Sequence, residues 1–220
     1  MLALKGTLLI LCLSIIAIKS YGQEIYPKAG YSYSMASLGQ DVFPRDLYSI
    51  QSRNGFSVGA GYNSKRVSLL SLQAEILFHQ KGFNYKGKST ATSGYDLNGS
   101  FTMNYLEIPL LAKVHFDPFY LNAGFTFAQG LGGTYKQTNG GGPFNYDMKI
   151  KFGKPTSASS GNAYYIDHGS SAIIQVGAGV RIMKQMILDI RYGHSLSNFY
   201  DNRSKFNTVQ TTLNWPILLK

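Results

Sequence analysis

Cysteine is almost missing from this chain of 220 residues, and its one copy, Cys12, lies in an apolar N-terminal run. A disulfide framework is therefore excluded, and an exported fold of this size needs another kind of closure, such as a sheet hydrogen-bonded into a ring. Acidic residues are few as well, 11 against 21 lysines and arginines, and the glutamates are only Glu24, Glu75 and Glu107. No segment after the N-terminal run holds 18 consecutive apolar residues, which excludes a transmembrane helix. The net charge is +10, yet no dense Lys/Arg run is present to track a phosphate backbone, so nucleic acid is not an expected partner. No His or Cys spacing resembles a metal cage. The run Gly140-Gly141-Gly142-Pro143 lacks the lysine and the strand-to-helix setting of a phosphate cradle. Neither a metal nor a cofactor is expected.

The first residues read as an export leader. Lys5 supplies a positive start, residues 8–18 an apolar core, and Ser20-Tyr21-Gly22 the small residues a signal peptidase requires. Cleavage before Gln23 leaves residues 23–220 as one domain, with residues 1–22 as the cleaved signal peptide. Cys12 follows Leu9-Ile10-Leu11 without the small residue a lipoprotein site needs, so lipidation is not expected. Lys5 and Lys19 leave with the leader, and 19 basic residues remain against 11 acidic ones.

What the mature chain has in abundance is alternation. Eight stretches place apolar and polar residues at a period of two, the mark of strands with one greasy and one polar face: residues 25–37, 54–63, 67–83, 101–116, 119–130, 170–182, 186–197 and a last one after residue 205. The fourth is the clearest, with Leu106, Ile108, Leu110, Ala112, Val114 and Phe116 opposite Tyr105, Glu107, Pro109, Leu111, Lys113 and His115. Connections are alternately short (63–66, 117–118, 183–185) and long (38–53, 84–99, 131–169, 198–205). Residues 144–152 also alternate. Paired with residues 162–167 they would bring the count to ten, but a hairpin projecting from the long connection is preferred because this segment is charged and its flanks are rich in Gly and Pro.

Alternation does not say which face looks outward. Three features point the apolar face at lipid. The short turns all fall at one end and the long connections at the other, as in outer-membrane barrels. The polar face collects Gly30, Gly59, Gly61, Gly124, Gly177 and Gly179, which suit a crowded lumen. Large aromatics, among them Tyr31, Phe56, Phe116, Phe119, Phe127 and Trp215, stand near the strand ends on the apolar face, where interfacial girdles belong. The expected fold is all-β: a closed antiparallel up-and-down transmembrane β-barrel of eight strands, ten being the alternative, with short periplasmic turns and long extracellular loops, in the bacterial outer membrane. A barrel of eight strands is just wide enough for its own side chains. The charges on its inner face, Glu75, Glu107, Lys113, Arg181, Asp189 and Arg191, are expected to pair as a network that plugs the lumen. His79 and His115 point the same way, near opposite ends.

Several runs resemble a known family. They are Pro27-Lys28-Ala29-Gly30-Tyr31, Phe56-Ser57-Val58-Gly59-Ala60-Gly61-Tyr62, Glu75-Ile76-Leu77-Phe78 with Gly82-Phe83, and Tyr105-Leu106-Glu107-Ile108-Pro109-Leu110-Leu111 with Lys113. Gly177-Ala178-Gly179-Val180, Arg191-Tyr192-Gly193 and Leu196-Ser197-Asn198 complete them. Over nearly the whole mature length the chain resembles PorT-type outer-membrane barrels, a branch of the small eight-stranded barrels that includes the OmpA and OmpX types. The resemblance implies fold and location, and it suggests an accessory role in protein secretion. The chain departs from the pattern at its end, Trp215-Pro216-Ile217-Leu218-Leu219-Lys220, where exported barrels commonly close on an aromatic residue.

Catalytic parts are sparse. His194-Ser195-Leu196-Ser197-Asn198 is the best candidate for a lipid deacylase, but on a regular strand both serines fall on the face opposite His194, and the nearest acid is Asp201. Asp167-His168, in the longest connection, is a weak signal for a protease dyad or a metal. The reading is a non-enzymatic barrel with a structural or loop-mediated role; the alternatives are a lipid-modifying, deacylase-like enzyme and an accessory barrel of a secretion system. Expected partners are outer-membrane lipid and lipopolysaccharide, the barrel assembly machinery during insertion, and an envelope protein. Lipopolysaccharide contacts are expected at Lys86, Lys88, Lys136, Lys149, Lys151, Arg203 and Lys205, with Arg45, Arg53 and Lys154 also exposed. On fractionation the mature chain should follow the outer membrane, and the unheated sample should migrate differently from the boiled one on a gel. Recovery in the soluble fraction without detergent would overturn the reading.

Overall fold

A backbone amide in hydrocarbon has no water to pair with, so a sheet that crosses a membrane must close on itself. The computed structural model describes residues 23–39, 47–88, 96–140, 145–153, 163–166, 168–183, 185–199 and 204–219. The leader expected at residues 1–22 lies outside the described residues. One sheet holds every described strand: β1 (Gln23–Ser37), β2 (Tyr48–Asn63), β3 (Leu70–Lys88), β4 (Asp96–Phe116), β5 (Phe119–Gly140), β6 (Tyr146–Phe152), β7 (Ala163–Ile166), β8 (Ser170–Met183), β9 (Met186–Ser195), β10 (Lys205–Asn214) and β11 (Ile217–Leu219). Eight of them close a ring in the order β4-β3-β2-β1-β10-β9-β8-β5, and β5 pairs back to β4. Every neighbouring pair in that ring is antiparallel. β11 continues β10 past Trp215 and Pro216 and pairs with the start of β1.

The barrel is thus eight-stranded, and residues 146–152 are a strand outside it. β6 does not form a hairpin with the residues that follow: it pairs antiparallel with the upper part of β5, and β7 lies parallel to it. This is possible because β5 is long enough to pair with β8 at residues 119–129 and with β6 at residues 133–137.

The alternation places its apolar stripe outside. Leu72 is 68% exposed and Leu121 55%, whereas Glu107 and Asp189 on the opposite face are fully buried. In β4 the outward residues from Phe116 to Leu106 are all apolar, a rise of 11 residues, enough for a tilted strand to cross the hydrocarbon core. The next outward residues are Asn104, Thr102, Ser100 and Asn98. β3 shows the same change between Phe78 and Gln80, and β5 between Phe127 and Gln129. These residues pair across the sheet, Phe78 with Leu106 and Leu106 with Gln129, so the change forms one level line around this side of the barrel.

Above that line the inner face changes too, in the opposite sense. Phe83, Tyr85, Phe101, Met103, Tyr105, Tyr135 and Ile150 are buried in one cluster with Phe199 and Phe206. The rings stack, Phe101 on Tyr135 at 4.4 Å, Phe83 on Phe101 at 4.6 Å and Phe199 on Phe206 at 4.2 Å between centroids. The strands therefore run out of the membrane as an ordinary water-soluble sheet with an apolar inside. Residues 84–88, 96–99 and 131–140, expected as loop, are strand. Once the outer face meets water it no longer needs an apolar stripe, and the segments read as polar connections.

Two features mark the line. β5 carries an extra residue where the pairing passes from Tyr105–Gly130 to Asn104–Gly132, and Gly132 takes a φ of 138°, which a residue with a side chain rarely adopts. Gly130 has no room for a Cβ because the Phe152 ring, inside the sheet, lies against it. At the periplasmic end Arg66 Nη1 donates to Asp117 Oδ2 at 2.6 Å, which ties two short turns together and holds the Asp117 carboxyl below its ordinary range.

The level line is testable on one face of one strand. Leu110→Arg, at mid-height of the apolar stripe, should destabilise the folded barrel by about 2–4 kcal/mol in urea titrations in lipid vesicles, whereas Asn98→Arg should cost about 0–1 kcal/mol or less. Equal costs would move the membrane boundary.

Candidate functional site: the lumen and the external sheet

Arg191 on β9 and Glu75 on β3 stand on opposite walls of the ring and meet in its middle. Arg191 donates from Nη1 and Nη2 to the two carboxylate oxygens of Glu75, at 2.7 and 2.9 Å. It also donates from Nε and Nη2 to Asp189 at 3.0 and 2.8 Å. One planar guanidinium thus serves two carboxylates, a geometry that a lysine ammonium cannot copy. Lys28 on β1 adds bonds to Glu75 at 3.1 and 3.3 Å and lies 3.9 Å from Asp189. The remaining acceptor sites on the carboxylates are used by Tyr26 on Glu75 and Tyr120 on Asp189, each at 2.7 Å, and by Gln73 on Glu75 at 2.6 Å. Two cations and two anions are so balanced, and none of the four is exposed by more than 4%. The glycines of the inner face make room: a Cβ at Gly61 would strike the Tyr26 ring, and one at Gly179 the Tyr120 ring.

A second cluster lies above the first. Glu107 Oε2 is 3.0 Å from His79 Nδ1, and its other oxygen meets Lys81. Gln210 Nε2 on β10 lies 2.8 Å from His79 Nδ1. Lys81 also stands 5.4 Å from the Tyr105 ring centroid, the first layer of the aromatic cap. Below, Lys113 has no carboxylate within 4.0 Å among the described residues and sits over the Tyr120 ring at 3.6 Å, a cation–π seat of the kind found where a cation is held away from water.

Of the six charges expected in the lumen, the structure brings Glu75, Asp189 and Arg191 into one cluster, puts Glu107 in the other, and holds Lys113 apart on an aromatic face. Arg181 differs. It has the inner-face parity but lies at the periplasmic rim, exposed, where it bonds Glu24 at 3.2 Å. Lys28 and Lys81 complete the clusters. Both stand on the inner face by their parity with Tyr26 and His79, a signal that was readable in the sequence. His115 bonds Ser71 at 2.8 Å near the periplasmic end.

The basic positions fall on the external sheet. Lys86, Lys136, Lys149 and Lys151 are exposed on its outer face, and Lys136 pairs with Asp147 at 3.2 Å. Lys205 is half-buried at the start of β10. Lys88 ends β3 with its side chain outside the described residues, where Arg45, Lys154 and Arg203 also lie. Arg53, on the same outer face, donates to Asn84 at 3.1 Å and to Ser100 at 2.5 Å.

His194 does not meet a serine. Its Nδ1 is 2.7 Å from Asn207 Oδ1 on the outer face, while Ser195, on the inner face, bonds Ser171 and the carbonyl of Ser197. Asp201 and Asp167 lie outside the described residues. The pair needed to activate a hydroxyl is not assembled by this strand.

Comparison with solved structures finds small outer-membrane barrels. Ail, the attachment invasion locus protein of Yersinia pestis, in complex with the heparin analogue sucrose octasulfate, is 13% identical, with 89% of this chain and 99% of that chain covered at a TM-score of 0.46. Neisserial surface protein A is 11% identical over 88% of this chain and 96% of that one, at 0.38. OprG from Pseudomonas aeruginosa is 6% identical over 90% and 97%, at 0.38. A search of curated proteins finds no match. The family described as outer membrane protein beta-barrel domain matches residues 22–201, most of the chain. With the closed ring, the apolar exterior and the charged interior, this protein belongs to that family of bacterial outer-membrane barrels.

Proposed function

We propose that the protein is a sealed, non-enzymatic barrel that anchors its external sheet at the cell surface and presents it to a partner. The bridge from Glu75 to Arg191 across the lumen carries this reading, since it joins opposite walls of a ring that has no spare width. The cluster around Glu107 and the aromatic cap add two further layers above it. The fold class supports insertion by the barrel assembly machinery as part of this reading. The exposed cations of the external sheet, Lys86, Lys136, Lys149 and Lys151 with Lys205 beside them, lie beyond the apolar stripe on the face that meets water, and this supports lipopolysaccharide, whose phosphates are anionic, as partner. The resemblance of residues 105–111 and Lys113 to PorT-type barrels favours a second reading, an accessory role in a secretion assembly with an envelope protein as partner. Co-purification of other secretion components from mildly solubilised membranes separates it from the first. The deacylase alternative predicts altered membrane lipid in a His194→Ala strain; unchanged lipid composition removes it.

Reconstituted in a planar bilayer, the protein should show no large stable conductance, and a pore current would overturn the sealed lumen. Glu75→Ala leaves Lys28 and Arg191 without their shared acceptor and should cost about 3–5 kcal/mol in urea titrations, against 1 kcal/mol or less for Glu24→Ala at the solvated rim. Replacing Lys86, Lys136, Lys149, Lys151 and Lys205 together by Glu should lower the lipopolysaccharide that co-purifies with the folded protein. Unchanged retention would remove lipopolysaccharide from the partner list.

A further inference from the structure

The strand β5 changes partner at the membrane boundary. Up to Gln129 it pairs with β8, and from Gly133 it pairs with β6. On the outer side of this fork the wall has a groove of about 370 Å³, lined by Leu106, Ile108, Phe127, Gln129, Ser170 and Ser197. Its floor and upper edge differ in chemistry. Leu106, Ile108 and Phe127 belong to the stripe that faces hydrocarbon, and Gln129 and Ser170 to the first polar row above it. The groove exists because β8 contributes small residues here, and because the chain after β9 folds back onto it: Leu196 N donates to the Ala172 carbonyl at 2.7 Å, and Ala172 N donates to Ser197 Oγ at 3.1 Å.

Above the groove stands β6. Lys149 pairs with Thr134, and Ile150 points into the aromatic core, so Lys149 and Lys151 share the outer face. Continuing the register puts Lys151 beside Gly132, roughly 10 Å above Gln129 at about 3.3 Å per residue. Both lysines are exposed, and neither has a carboxylate within 4.0 Å among the described residues, in contrast to Lys136. An apolar trough in the lipid-facing wall, a hydroxyl and amide edge, and two cations over it follow in the order of one amphiphile: acyl chain, ester or hydroxyl, phosphate.

We infer that this fork is a seat for one phosphorylated outer-leaflet lipid, the lipid part of lipopolysaccharide, with an acyl chain against Leu106, Ile108 and Phe127 and a phosphate on Lys149 and Lys151. The seat rests on the reading of lipopolysaccharide as partner and narrows it from a basic surface to one site. Its shape requires both halves. A surface that merely attracts anions would not need the groove, and a groove that merely touches lipid would not need the lysines.

The test uses the full mature chain in detergent, titrated with diphosphoryl lipid A and followed by native mass spectrometry. Wild type should retain one lipid A in preference to phosphatidylcholine. Lys149→Glu with Lys151→Glu should weaken retention at least tenfold, and Ala172→Phe, which fills the groove and leaves every cation in place, should do the same. Lys65→Glu, the same charge change in the short turn at the periplasmic rim, should leave it within twofold, and Lys86→Glu should weaken it less than the β6 pair does. Heat-modifiable mobility confirms that each variant is folded, and Ser170→Leu at the groove's edge replaces Ala172→Phe if the latter does not fold. Equal weakening by Lys86→Glu and by the β6 pair, with no effect of the groove variants, would overturn the seat while leaving a general basic surface. No retention of lipid A by wild type would overturn both.

Discussion

Every other feature of this barrel depends on one constraint, the pairing of backbone amides in a medium that offers them nothing else. In water an unpaired edge strand is tolerable; in hydrocarbon each orphaned amide costs several kcal/mol. The chain meets the constraint by pairing β1 with β10, strands from opposite ends of the sequence, over ten residue pairs from Lys28–Asn214 to Ser37–Lys205. Closure with eight strands then fixes the bore. The inner residues are left with one another as partners, so the charges on that face have to find opposite charges on that face. Glu75, Arg191, Asp189 and Lys28 do so across the ring.

The same strands obey two solvents in turn. Below the level line the outside is lipid and the inside polar; above it the outside is water and the inside aromatic. The period of two continues through the line apart from the irregularities in β2 and β5, but the apolar residues change sides. This decides how much of the fold was legible in the sequence. The eight ring strands and the faces of their membrane-spanning parts followed from alternation with the apolar stripe outward. The external continuation did not, because a segment such as Asn84-Tyr85-Lys86-Gly87-Lys88 carries only one large apolar residue and two cations, and reads as a turn-rich connection. In the structure Phe83 and Tyr85 are successive inward residues of β3, and Phe101, Met103 and Tyr105 are successive inward residues of β4. The inversion leaves its trace in the sequence only as a phase change of the pattern.

The lumen shows the same division. Parity placed Glu75, Glu107, Lys113, Asp189 and Arg191 on the inner face, and all five are buried there. Parity alone does not give height along the barrel, and that is why Arg181, on the same face, lies at the rim with Glu24 instead. Nor does it give partners. Which inner residues meet depends on which strands stand opposite in the ring and on their stagger, a property of closure and not of any one segment. The two clusters needed Lys28 and Lys81, residues whose parity was plain but whose role appears only when the closed ring brings β1 across the lumen from β3 and β9 and sets β3 beside β4.

Buried ion pairs are weak stabilisers, since the cost of taking charges from water offsets most of their attraction. Their value here is better understood through register. If one strand slipped by a single residue, every side chain on it would change face. On β9 that would carry Arg191 and Asp189 to the lipid and bring Ile190 and Tyr192 into the lumen; on β3 it would put Glu75 in hydrocarbon beside Ile76's former neighbours. A barrel whose inner face held only serines and glycines would pay far less for such a slip. The charges therefore discriminate between closures more strongly than they stabilise the correct one, and the sites where discrimination is greatest, β3 and β9, are the two walls that the Glu75–Arg191 bridge joins.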